Sequence, residues 1–244
     1  MPRANRYILP GYIYHLTHRC HDRKFLLRFR IDRNEYFRRL MKAVRKHRID
    51  LFNYSVTCNH VHLLAVSNHL ADLSRFVQQL DGEFAEYYNL RKGRTGSFWG
   101  DRFHCTIIEG GDHLWNCLRY IDLNMVRAEV VGHPREWRWC GYRELTGQVK
   151  RFRLLNTDRL AALLGLTDRY ALATIHEQRI AEAIGDKRLI REGIWTECIA
   201  VGSESFVRTI ASKSRRRKRL QIASIENGSW YVREDIARYS CASS

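Results

Sequence analysis

The stretch SVTCNHVHLLAV, Ser55 to Val66, is rich in β-branched and apolar residues, which favours a strand over a helix. Side chains alternate faces along a strand, so His60 and His62 point the same way and stand about 7 Å apart along the backbone. Both rings can therefore reach one ion. Ile49 to Thr57 and Val61 to Ser67 read as a hairpin-like pair of strands separated by Cys58 to His60, which puts His60 at or near the turn.

Working outward, Tyr12 to Arg19 (YIYHLTHR) alternates polar and apolar residues as a strand does. Asp32 is expected to cap an amphipathic helix to about His47, with Tyr36, Phe37, Leu40, Met41 and Val44 as its inner face. Leu70 to Leu90 forms the next helix, ended by the loop Arg91 to Gly96, and Phe103 to Ile108 another strand. Asp112 to Ala128 then carries Leu114, Trp115, Cys117, Leu118, Ile121, Met125 and Val126 in a near-helical stripe, with Asp112 placed to cap it. The order is β-α-β-β-α-β-α. Its first six elements are the ferredoxin-like arrangement, an α+β fold with an antiparallel sheet and its helices on one face. Residues 1–147 are expected to form this domain. Beyond it, Asn156 to Leu164, Thr167 to Ile184 and Ser203 to Ile210 read as helices, followed by the basic run Lys213 to Arg219, so 148–244 is expected to be a helical, basic extension.

Tyr120 and Asn124 are four residues apart, neighbours on one helix surface. Two imidazoles, an amide and a phenol can together make a metal-assisted phosphoryl-transfer site. Neither half is specific alone. A histidine pair on a strand is more often hydrogen-bonded than metal-binding, and a tyrosine on an amphipathic helix is usually a packing residue.

Charge supplies the partner. The chain of 244 residues holds 42 Lys and Arg against 26 Asp and Glu, a net charge of +16, which points to a polyanion, nucleic acid first. Residues 1–48 hold 14 basic and 3 acidic side chains, 49–150 hold 11 and 12, and 151–244 hold 17 and 11. The stretch with the candidate site is thus neutral and its flanks carry the cations. Phosphate-gripping residues around a chemically specialised centre give that pattern, and so does a generally basic solvated surface. No apolar run is long enough to cross a bilayer, and no apolar stretch follows the basic amino terminus, so no membrane partner and a cytoplasmic, nucleoid-associated location are expected. Seven scattered cysteines without a C-x-x-C pair fit neither a disulfide framework nor a zinc ribbon. Cys58 shares the face of His60 and is either a stray ligand or a packing residue.

Five segments in order, PGYIYHLTHRCHDRKFL, TCNHVHLLA, GSFWGDRFHC, YIDLNMVRAEVV and WRWCGYRELTG, resemble the single-tyrosine HUH transposases. Within that family they resemble most the REP-associated tyrosine transposases and related insertion-sequence enzymes. The resemblance spans roughly residues 7–147. It implies a ferredoxin-like nuclease fold that cuts and rejoins single-stranded DNA at hairpin-marked sites. By the same resemblance, His60 and His62 are the metal-binding pair, Tyr120 is the nucleophile, and Asn124 falls at the third metal ligand. Met125 stands where the family typically has proline.

The expected chemistry is attack by Tyr120 on a phosphate polarised by Mg2+ or Mn2+, giving a 5′-phosphotyrosine and a free 3′-OH that can be rejoined without ATP. Arg3, Arg6, Arg19, Arg23, Lys24 and Arg102 are the candidate DNA contacts, and Trp99 and Phe103 candidate base-stacking aromatics, with core packing the safer reading for Phe103. A surface ion pair is an equal reading for any one of those arginines. A homodimer is possible. Two rivals stand beside this reading: a non-catalytic DNA- or RNA-hairpin binder derived from a transposase, and a metal-dependent phosphoesterase that uses the histidines without the tyrosine.

Overall fold

The structure is a computed structural model that describes residues 8–66, 70–149, 153–186, 189–213, 220–225 and 228–235. Arg3, Arg6 and residues 214–219 of the basic run lie outside the described residues.

The expected β-α-β-β-α-β core is present as β1 (Ile13–Arg19), α1 (Arg30–His47), β2 (Asp50–Val56), β3 (His60–Val66), α2 (Leu70–Lys92) and β4 (His104–Ile108). These strands lie in the order β2-β3-β1-β4 and pair antiparallel, so the α+β, ferredoxin-like expectation holds. Alternation on β1 divides the sheet into two faces. On one, His18 of β1 meets Asp81 of α2, which also accepts from the Tyr36 hydroxyl of α1. Tyr36, Leu40, Phe76 and Phe84 are completely buried there, each stabilising the fold by about 1.5–3 kcal/mol. Ile13, His15, Thr17 and Arg19 turn to the opposite face, where the tyrosine helix packs.

That helix is α3 (Asp112–Asp122), followed after Leu123 by a separate turn, α4 (Asn124–Arg127), in place of one continuous helix. Two expected caps are also corrected. Helix α1 starts at Arg30 after Phe29, and Asp32 sits buried inside its first turn, drawn into an ion pair with Arg91 of α2. Gly111, at φ 64°, precedes α3 and, having no side chain, provides no side-chain cap. The Asp112 carboxylate instead lies 3.3 Å from Arg179.

Beyond α5 (Tyr142–Leu145) the expected helices appear as α6 (Thr157–Leu163), α7 (Arg169–Gly185) and α9 (Glu204–Ser212), with Asn156 and Ser203 as side-chain N-caps. Between α7 and α9 lie the short α8 (Ile194–Glu197) and β5 (Ala200–Gly202), and β6 (Leu220–Ser224) and β7 (Trp230–Glu234) follow. These three strands were not expected. β5 pairs parallel with β4, and the sheet continues through β7 to β6, giving seven strands among the described residues. No helix of the described residues is long and apolar enough to cross a membrane.

Candidate active site

Register places the two histidines. His62 of β3 lies opposite Thr17 of β1, and His60 opposite Arg19, so both rings emerge on the face away from α1 and α2. Their centroids are 4.8 Å apart and their planes cross at 80°. His60 Nδ1 lies 2.7 Å from Asn59 Oδ1 and 3.0 Å from the Thr57 hydroxyl. The amide oxygen can only accept, so His60 carries its proton on Nδ1 and keeps a lone pair on Nε2. His62 Nδ1 is 2.9 Å from Nε2 of a third histidine, His15. The Nε2 atoms of His60 and His62 converge on the Asn124 amide, at 3.4 Å and 3.0 Å.

Tyr120 closes the group. Its ring stands edge-on to His62 at 5.9 Å and to His15 at 6.0 Å. Arg127 of α4 lies over the Tyr120 ring at 4.2 Å and donates to the Tyr120 carbonyl at 2.9 Å. The four residues singled out in the sequence, His60, His62, Tyr120 and Asn124, are thus brought together within one chain.

Electrostatics follow from burial. Desolvation pushes the His60 and His15 imidazoles down to about 3, with nearby arginines adding to it at His60, and His62 well below its ordinary value. All three rings are neutral at pH 7. Burial also raises the Tyr120 phenol above its usual value, against the pull of Arg127 and Arg191 and a hydrogen bond with Thr196. Tyr120 is 5% exposed, so its phenol is protonated and held close against the protein.

These residues fit a divalent cation. Two neutral imidazoles direct Nε2 at one locus, and a rotation of the Asn124 side-chain amide, whose two ends are assigned from hydrogen bonding, brings its oxygen to the same place. Among the described residues no group of three His, Cys, Asp or Glu side chains can hold a metal; two imidazoles and an amide are the donors this locus offers. Cys58 takes no part: its Sγ lies 3.9 Å from Arg33 Nη1.

Beside the histidines opens a cleft of about 390 Å³ lined by Arg19, Arg23, Arg102 and Arg191 together with His60 and His62. Arg19 is shifted down by burial first and then by Arg191 and Arg23, a crowding of like charge that an anion would relieve. Lys24 is not among the residues lining the cleft and pairs with Asp22 at 3.1 Å. Phe103 is packed in the core, as the safer reading had it, and so is Trp99, suggested as a base-stacking platform, which is stacked on His18 at 4.3 Å.

Sequence reasoning missed His15, Arg191, Thr196 and Glu197. The last three come from the carboxy-terminal segment around α8 and line the cleft. The only signal for His15 is its odd offset from His18, which sends the two rings to opposite faces.

Comparison with known proteins joins this geometry. Residues 9–124, which include both histidines, Tyr120 and Asn124, match the model of the IS200-like transposases. This match spans just under half of the chain and makes the stretch similar to the IS200-like transposases. The fold is shared with a REP-associated tyrosine transposase solved bound to a REP hairpin, with TM-score 0.52, 18% identity, and 61% of this chain and 87% of that one covered. A candidate transposase from Deinococcus radiodurans R1 also matches, at TM-score 0.34 and 20% identity, over 45% of this chain and 85% of that one. A search of curated proteins gives no match.

Proposed function

We propose that this chain is an IS200-like transposase that cuts and rejoins single-stranded DNA at hairpin-marked sites through a covalent 5′-phosphotyrosine. The observation that carries the reading is the convergence of His60 Nε2 and His62 Nε2 on Asn124, with the Tyr120 ring 5.9 Å from His62. Hairpin DNA is extended to this chain from the partner of the REP-associated enzyme that shares its fold.

In this reading His60, His62 and Asn124 hold Mg2+ or Mn2+, which supplies Lewis-acid polarisation of the scissile phosphate. The arginines of the cleft seat the DNA backbone. The Tyr120 oxygen forms a bond to phosphorus, the bond from phosphorus to the 3′ oxygen breaks, and the phenol proton ends, through solvent, on the released 3′-OH. Arg127, over the ring, offsets the negative charge that develops on the phenol oxygen. A second 3′-OH reverses the step, and because the phosphotyrosine conserves the bond, rejoining needs no ATP.

A denaturing gel tests this. Full-length protein is mixed with end-labelled single-stranded hairpin DNA from the flanks of its own gene, with Mn2+ or with EDTA. A shifted covalent band that needs Mn2+ and disappears in Tyr120→Phe is expected; an adduct that survives Tyr120→Phe removes Tyr120 as nucleophile. One observation favours the second reading, a hairpin binder without chemistry: Tyr120 is 5% exposed and its phenol is raised. Hairpin binding with no adduct across several flanking hairpins would establish that reading instead.

A further inference from the structure

The imidazole of His15 is completely buried on β1, and its two nitrogens face two different partners. Nδ1 is 2.8 Å from the carbonyl oxygen of Trp195 on α8, and Nε2 is 2.9 Å from His62 Nδ1. The His15 and His62 rings are nearly coplanar, 16° apart with centroids at 5.0 Å, as an in-plane bond between ring nitrogens requires. The Trp195 carbonyl sits in a bonded surround: the Thr106 hydroxyl shares its one proton between the Cys198 carbonyl at 2.8 Å and the Trp195 carbonyl at 3.1 Å, and the Trp195 indole donates to Glu192 at 2.8 Å.

A carbonyl only accepts, so the proton of His15 must sit on Nδ1. A neutral ring then has a bare Nε2, which can only accept from His62. His62 therefore carries its proton on Nδ1, and its Nε2, facing Asn124, keeps the lone pair. We infer that His15 is a positioning residue, which relays the carbonyl acceptor of Trp195 through its ring to lock His62 in the tautomer that can ligate a divalent cation. Resting on the metal-dependent reading above, this gives the carboxy-terminal segment a part in the site: α8 supplies the acceptor at the far end of the relay. Outer partners of this kind orient ligand imidazoles and typically change metal affinity 10- to 100-fold.

The first test needs no variant and no metal. Long-range 1H–15N spectra of the metal-free full chain, with histidine labelled in nitrogen, are expected to show His62 protonated on Nδ1; protonation on Nε2 overturns the inference. The second is calorimetric titration with Mn2+ alone. His15→Phe keeps a ring but removes the acceptor, and binding weaker by about tenfold or more is expected. His15→Gln, whose side-chain oxygen can accept from His62, is expected to recover most of the affinity. Binding by His15→Phe equal to wild type overturns the relay. A wild-type chain without Mn2+ affinity overturns the metal-dependent reading itself, a result distinct from either variant.

Discussion

His176 Nε2 lies 2.6 Å from Asp122 Oδ2, and both side chains are fully enclosed. Asp122 is the last residue of α3, two beyond Tyr120, and its other oxygen accepts from Asn53 of β2 at 3.0 Å. Helix α7 is thereby tied to the end of the tyrosine helix, and the tyrosine helix to the sheet. Removing the histidine leaves a buried carboxylate short of a partner, which costs about 3 kcal/mol. His176→Ala is expected to lower the urea midpoint accordingly, and His176→Gln, which can still donate, to lower it less. A loss below about 1 kcal/mol in the alanine variant would give this contact no more weight than a surface pair.

In the proposed reaction Arg127, whose guanidinium covers the Tyr120 ring, offsets charge on the phenol oxygen. Its guanidinium over the Tyr120 ring at 4.2 Å is worth on the order of 1–2 kcal/mol to a developing negative charge in a desolvated setting. Arg127→Gln should slow single-turnover adduct formation about tenfold while hairpin affinity stays near that of wild type. A parallel fall in affinity would instead place Arg127 among the DNA contacts.

The buried histidines set an acid limit on stability. His15 is held down to about 3 and His62 well below its ordinary value, whereas in the unfolded chain they titrate near 6.5. Between those values the unfolded chain binds protons that the native fold refuses. Stability from these groups is therefore complete above about pH 6.5 and is lost as pH falls, for His15 by about 1.4 kcal/mol per pH unit down toward 3, with His62 adding in the same direction. Urea midpoints at pH 7 and pH 5 should show the drop, and it should be shallower in His15→Phe. An unchanged drop in that variant would assign the acid sensitivity to other groups.

The arginines of the cleft should announce themselves through salt. If Arg19, Arg23, Arg102 and Arg191 meet phosphates, neutralising any one should weaken binding alike across DNA sequences. It should also reduce the slope of log affinity against log salt by about 0.7 for single-stranded DNA. Binding isotherms of each Arg→Gln variant from low to moderate salt decide it; a slope unchanged in all four would move the DNA path elsewhere.

The amino-acid sequence by itself determined whatever depends on near neighbours. Alternation put His60 and His62 on one face, and helical spacing put Tyr120 beside Asn124. The αβ order of residues 12–108 followed from periods of 2 and 3.6, and Asn156 and Ser203 marked helix starts because a side-chain oxygen there reaches a backbone N–H two or three residues on.

Only the tertiary structure decided the rest, for two physical reasons. Strand β5 is three residues long and pairs with β4, whose residues lie about ninety positions earlier, so no local period could signal it. Charged and polar side chains choose partners by distance in space. Asp32 leaves its capping place for Arg91, His176 finds Asp122, and His15, outwardly like its neighbour His18, becomes the partner of His62 because strand register turns it to the tyrosine face while His18 turns to α2.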